Sequence, residues 1–115
     1  MTITLYGIPN CDTVKRARAW LEANRRDAAF HDFKKAGVPA DHLDAWAAAV
    51  GWERLLNRKG TAWRKLDDEV RDAVVDERSA KQLMREQVSV IKRPVVEWAD
   101  GAITVGFDES DWLRR

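Results

Sequence analysis

The spacing of apolar positions changes several times along this chain, and each change marks a new element. Ile3, Leu5 and Tyr6, set among Thr2 and Thr4, read as a buried first strand over residues 2–6. From Asp12 to Asn24 the period lengthens. Val14, Ala17 and Leu21 share a stripe with Trp20 beside it, while Lys15, Arg16, Glu22 and Arg25 fall on the outer face, the pattern of an amphipathic helix. Residues 28–33, Ala-Ala-Phe-His-Asp-Phe, predict a second strand. Strand, helix and strand with short links imply a right-handed βαβ unit with parallel pairing.

Lys34 to Pro39 reads as a turn, punctuated by Gly37 and Pro39. Leu43, Trp46, Ala47 and Val50 stand at i, i+3, i+4 and i+7 and predict a helix over 40–50, ended by Gly51. A further helical turn is expected at 52–57 and a basic loop at 57–61. Leu66, Val70, Ala73 and Val74 form a second helical stripe, and Ala80, Leu83 and Met84 a third. Residues of about 40–87 therefore read as a helical insert, with no linker that would separate it from a single domain of residues 1–115. At Val88 the pattern returns to β. Residues 90–98 predict a strand, Ala99-Asp100-Gly101 a hairpin turn, and 102–107 the return strand. Asp108 is placed to cap a last short helix with Trp112 and Leu113 facing inward.

Composition narrows the picture. A chain of 115 residues is long enough for a core without staples. Its 20 basic and 19 acidic residues leave a net charge of +1, so no global field calls for nucleic acid or a membrane surface. No apolar run approaches the ~18 residues that span a bilayer, and Met1 leads straight into strand-like sequence without a signal peptide. A single cysteine cannot form an internal disulfide. A cytoplasmic location is the expectation. The six tryptophans are spread from Trp20 to Trp112, which suits packing better than one stacking platform, and Trp52 and Trp63 are expected in the core. His31 and His42 have no Cys or second His at ligand spacing, so no metal site is expected.

The chemistry concentrates in Tyr6-Gly7-Ile8-Pro9-Asn10-Cys11-Asp12-Thr13-Val14-Lys15. The one cysteine sits where a loop becomes a helix. Unpaired backbone N–H groups and the positive end of the dipole stabilise a thiolate there, and the same groups cradle an anion. Lys15 and Arg18, one and two turns on, add positive charge. A lone cysteine is commonly a small buried hydrophobe. The polar neighbours Asn10, Asp12 and Thr13 argue against that here. Val14 occupies the place of a second cysteine in a Cys-x-x-Cys pair, which excludes an internal dithiol cycle.

A βαβ unit joined to a ββα unit, with a cysteine at the first helix start, is an α/β (α+β) arrangement of thioredoxin-like fold with an inserted helical subdomain. Leu5 to Thr13, Leu55-Leu56-Asn57-Arg58-Lys59-Gly60-Thr61 and Ile91-Lys92-Arg93-Pro94 together resemble the ArsC family of arsenate-reductase-like proteins over essentially the whole chain. The run Gly60-Thr61-Ala62-Trp63-Arg64-Lys65-Leu66 is similar to the YffB-type branch, near the Spx/MgsR proteins.

The resemblance implies that Cys11 is the nucleophile and that Arg93, before a cis Pro94, holds an oxyanion or a carboxylate. Asn10, Asp12, Thr13 and Lys15 complete the expected substrate loop, with Arg58 one residue beyond the place where arsenate reductases carry a loop arginine. A third arginine of those enzymes would fall in the last hairpin, and Ala102 to Gly106 contains none. The implied activity is thus a glutathione-dependent thiol/disulfide reductase, with no bound cofactor and glutathione as co-substrate. The alternatives are arsenate reduction linked to glutathione and glutaredoxin, and a Spx-like regulator that binds RNA polymerase. No direct contact with nucleic acid and no membrane association are expected.

Overall fold

The computed structural model describes residues 2–115. Its internal contacts divide the chain into two compact units. One comprises the residues up to Lys35 together with Arg93–Arg115, and the other is Ala36–Lys92.

The first unit is built on a four-stranded sheet in the order β2-β1-β3-β4. β1 (Ile3–Gly7) leads through a loop into α1 (Asp12–Ala23), and β2 (Ala28–Asp32) returns parallel to β1, with Ile3 opposite Ala28 and Gly7 opposite Asp32. The predicted βαβ unit is present. Ile3 and Leu5 on one face of β1 meet Val14, Ala17, Trp20 and Leu21 of α1, exactly one stripe of that helix, in a cluster that also holds Val96, Trp98 and Trp112. Trp112 lies edge-on to Trp20, Trp98 and Phe107, with centroids 5.6, 5.1 and 4.7 Å away. Such edge-to-face packing suits the aromatic quadrupoles. Tyr6 points to the opposite face, where its ring stands 4.9 Å from His31 and its hydroxyl donates to Glu97 Oε1 at 2.7 Å.

Gly7 lets the helix come this close. A Cβ there would lie 2.8 Å from Cγ2 of Val14, a fully buried side chain. β2 stops one residue short of the predicted strand, and Phe33 opens a short helical turn, α2 (Phe33–Ala36), where a plain turn was expected. Asp32 Oδ1 accepts from the Lys34 N–H at 2.8 Å, and this side-chain contact starts the turn.

In the second unit α3 (Ala40–Val50) buries Leu43, Trp46 and Ala47, as its spacing predicts, and Gly51 ends it at a φ of 86°. α4 (Trp52–Leu55) follows. Of the expected helical stripe of Leu66, Val70, Ala73 and Val74, only a short piece is helical, α6 (Asp68–Asp72), and a separate turn, α5 (Thr61–Arg64), precedes it; neither has a buried residue. Arg71 explains the break: its guanidinium donates to the Arg64 carbonyl at 3.0 Å and also to the Leu66 carbonyl and Asp68, satisfying backbone groups that a continuous helix would have used itself. Trp52 and Trp63 are half-buried rather than core residues; each sits on a four-residue helix, too short to turn a full apolar stripe inward. α7 (Glu77–Glu86) begins with a capping box between Asp76 and Ser79 and buries Ala80, Leu83 and Met84.

The predicted strand over 90–98 is in fact divided. Val88–Val90 forms a 3₁₀ turn, and Ile91 makes an isolated antiparallel bridge to Leu56, flanked by the Asn57 N–H to Val90 O and Lys92 N–H to Leu55 O bonds, both 2.8 Å. Pro94, which has no N–H to give to a ladder, separates that bridge from β3 (Val95–Glu97). β3 pairs antiparallel with β1 and with β4 (Ile103–Val105), so the hairpin is present with a shorter return strand than expected. Asp108 accepts from the Asp111 N–H and caps α8 (Glu109–Leu113). Trp112 is buried as predicted, but Leu113, the last residue of α8, is 67% exposed. No helix among the described residues is long and apolar enough to cross a membrane.

Candidate functional site

Cys11 stands at the N-cap of α1 in extended conformation, with φ −119° and ψ 124°, and its carbonyl accepts the Lys15 N–H at 2.9 Å. It is half-buried and packs beside the apolar cluster under the sheet. Asn10 on the loop is exposed, as are Asp12 and Lys15 on the first turn of the helix, while Thr13 is half-buried.

Sheet register brings the second component to the same place. Tyr6, near the end of β1, is opposite Val95 at the start of β3. The chain entering β3 therefore lies beside the chain leaving β1. Arg93, two residues before Val95, reaches the thiol from there. The Arg93–Pro94 peptide bond is cis. Pro94 is buried and its carbonyl accepts the Gly106 N–H at 2.8 Å, which ties the loop to the end of β4.

The forces on the Cys11 thiol oppose one another. Burial pushes its pKa up. The backbone N–H of Val14, the hydrogen bond and charge of Arg93, and the backbone N–H of Thr13 pull it down, and together they prevail, leaving it below the ordinary thiol value. The sulfur makes no strict capping hydrogen bond. The N–H groups and the guanidinium instead act on the charge that appears when the proton leaves. Lys15, expected to add to this field, is exposed on the first turn of α1. Arg18 lies with its guanidinium carbon 4.1 Å from the centre of the Phe30 ring.

Arg58 belongs to the second unit. It is exposed on the turn after Leu56, with its guanidinium carbon 5.3 Å from the centre of the Trp52 ring. Sequence reasoning did not single out the Tyr6–Glu97 pair. Burial first, then the hydrogen bond to Glu97 and its charge, raise the Tyr6 phenol far above its ordinary pKa, so it stays a neutral donor. The two residues are 91 positions apart, and only the strand register could have joined them.

Against known proteins, the model of the ArsC family matches residues 6–114. A YffB protein of known structure is 45% identical, with 98% of this chain and 97% of that one covered and a TM-score of 0.91. An arsenate reductase (ArsC) related protein from Brucella melitensis is 50% identical, with coverages of 99% and 93% and a TM-score of 0.76. The global transcriptional regulator Spx of Streptococcus mutans is 27% identical over 113 residues, 95% of this chain and 79% of Spx.

Proposed function

The chain belongs to the ArsC family, and on that premise we propose that it is a glutathione-dependent thiol/disulfide reductase with Cys11 as its single nucleophile. The observation that carries the reading is the Cys11 thiol at the start of α1, made more acidic than an ordinary thiol by the Val14 and Thr13 N–H groups and by Arg93.

The cycle needs only thiol exchange. The Cys11 thiolate attacks one sulfur of a disulfide. A Cys11–S–S bond forms, the substrate S–S bond breaks, and the departing thiolate takes a proton from water. With a glutathione mixed disulfide as substrate, the enzyme carries glutathione on Cys11. A second glutathione thiolate then attacks that glutathione sulfur, releasing oxidised glutathione and restoring the Cys11 thiolate. The net change is an exchange: one glutathione thiol is consumed, the substrate sulfur leaves as a free thiol, and the glutathione it carried departs in oxidised glutathione. The external thiol is required because the chain has one cysteine. Arg93 suits both steps, since it can favour the thiolate as attacking and as leaving group and can pair with a glutathione carboxylate. In this reading Asn10, Asp12, Thr13 and Lys15 line the approach, and the protein works in the cytoplasm.

Arsenate reduction is the second reading, supported by the 50% identical relative described as arsenate reductase related. There Cys11 would attack arsenate, and glutathione with a glutaredoxin would complete the reduction. The absence of an arginine from Ala102 to Gly106 weighs against it. The Spx relatives support a third reading, a regulator that binds RNA polymerase without using the thiol.

Turnover of a glutathione mixed disulfide with glutathione as reductant separates these. The wild-type chain is expected to be active and Cys11→Ser to lose at least about a thousandfold. A folded wild-type chain that turns over neither this substrate nor arsenate, but co-purifies with RNA polymerase equally well as wild type and Cys11→Ser, would replace the reductase with the regulator.

A further inference from the structure

We propose that the outer edge of β2 is a docking site for an extended acidic segment of a partner protein, which would join the sheet as a strand beside Ala28–Phe30. β2 borders the sheet and pairs only with β1. No other backbone hydrogen bond of the described residues engages Ala28, Ala29 or Phe30. Natural sheet edges are blunted by charged side chains, proline, bulges or a covering element. At Ala28 and Ala29 the edge carries two exposed methyl groups, which leave the backbone open to a pairing strand.

A groove of about 300 Å³ runs between this strand and α1. Half-buried Phe30 gives the groove its accessible apolar surface, with the buried Leu5 and Leu21 behind it, and Arg18, Arg25 and Arg26 are the cations along it. An added strand pointing alternate side chains toward this groove would set an apolar residue on that surface and an acidic one near the arginines. The guanidinium carbon of Arg18 lies 4.1 Å from the centre of the Phe30 ring, a cation–π contact that places this charge at the groove. Arg26 is fixed, since its Nη2 donates to the Arg115 carbonyl at 2.9 Å. Glu22 and Asp27 also line the groove, but no ion pair of the described residues ties either of them to the three arginines. Arg18 and Arg25 therefore have no short ionic contact, whereas Arg26 is already engaged by the Arg115 oxygen.

Arg25 adds a separate reason to assign these side chains a role. α1 ends with the Arg26 N–H to Leu21 O bond at 2.8 Å and the Arg25 N–H to Glu22 O bond at 3.0 Å, the paired closure in which the second-last residue takes the left-handed conformation. Arg25 has a φ of 55° there, at a position that suits glycine. An arginine stands where the backbone favours a residue without a side chain, and that residue lines the groove.

The test uses the isotopically labelled full chain and a blocked peptide of alternating Val and Glu, long enough to span the five residues of β2. Amide shifts are expected to saturate and to concentrate at Ala28–Phe30 and along α1 at Arg18–Glu22. A Val-Lys peptide, and Val-Glu peptides N-methylated at every other residue in either register, are expected to bind about tenfold more weakly or worse. Arg25→Gly is expected to melt at the same temperature or higher yet bind the Val-Glu peptide about threefold more weakly. Cys11→Ser is expected to bind as wild type does, so the outcome is independent of the reductase reading. Absence of saturable shifts at β2, or equal binding of the Val-Lys peptide, would overturn the proposal. Shifts at β2 that appear on concentrating the chain alone would also overturn it, by giving the edge to a second copy.

Discussion

At the residue scale, the thiol of Cys11 is held between burial, which opposes its charge, and three donors that favour it. Arg93 is the only one of the three that is a side chain, so it can be removed without disturbing the helix start. Arg93→Ala is expected to raise the Cys11 pKa, seen as a shift of the pH profile of alkylation toward that of a free thiol, and to lower kcat/KM for a glutathione mixed disulfide roughly tenfold to a hundredfold. Stability carries the same signature. The folded-state pKa lies below the unfolded one, so the thiolate contributes stability that is fully present above the unfolded value of about 8.5 and is lost as pH falls through the folded value. The stability difference between wild type and Cys11→Ser should therefore grow in favour of wild type as pH rises toward about 8.5. Denaturant titrations at several pH values check this, and a difference that stays flat or shrinks would contradict the depressed pKa.

Elements explain which of these features could be read from the chain. α1, α3 and α7 each carry a stripe of apolar residues at helical spacing, and all three are present with those residues buried, save Val50 at the end of α3, which is half-buried. The segments that departed from expectation are those in which a side chain satisfies backbone groups from outside the regular pattern. Arg71 does so between α5 and α6, and Asp32 at the start of α2. Residues 90–92 are β-prone, but they pair with residues 55–57, and apolar content alone does not say which partner a strand will take. The site divides in the same way. Cys11 was legible from the strand-to-helix junction, whereas Arg93 was assigned through the family resemblance, because its proximity depends on the β1–β3 register. Two glycine-type positions make the local rules testable in opposite directions. Gly7→Ala would press a methyl group into the buried Val14 and should destabilise the chain by about 1–3 kcal/mol. Arg25→Gly relieves a left-handed side-chain residue and should stabilise it by roughly 0.5–1 kcal/mol. Denaturant midpoints of the two variants would show this opposite sign, and a stabilised Gly7→Ala would mean that α1 can move away from β1.

For the molecule as a whole, the decisive number is the single cysteine, because it limits what any thiol chemistry here can yield. An enzyme that resolved its own intermediate would need a second sulfur in the same chain, and Val14 stands where a Cys-x-x-Cys pair would place it. An oxidised intermediate must therefore either carry an outside thiol or join two chains through Cys11. The half-buried setting of Cys11 and the cation beside it favour a small anionic thiol over a second folded chain, which would have to bring its own Cys11 and Arg93 into the same space. Treatment with oxidised glutathione is thus expected to add one glutathione per chain, at Cys11, with little disulfide-linked dimer. Reduced glutathione should remove it, and Cys11→Ser should take up none. Intact-mass spectrometry together with non-reducing electrophoresis measures both products. If the dimer predominated even at excess glutathione, access to Cys11 would be wider than a small-thiol site requires. The glutathione cycle would then lose its intermediate. If neither product formed under conditions that oxidise a free thiol, Cys11 would be a packed side chain beside an arginine, and the case for a binding protein on the same fold would become the stronger one.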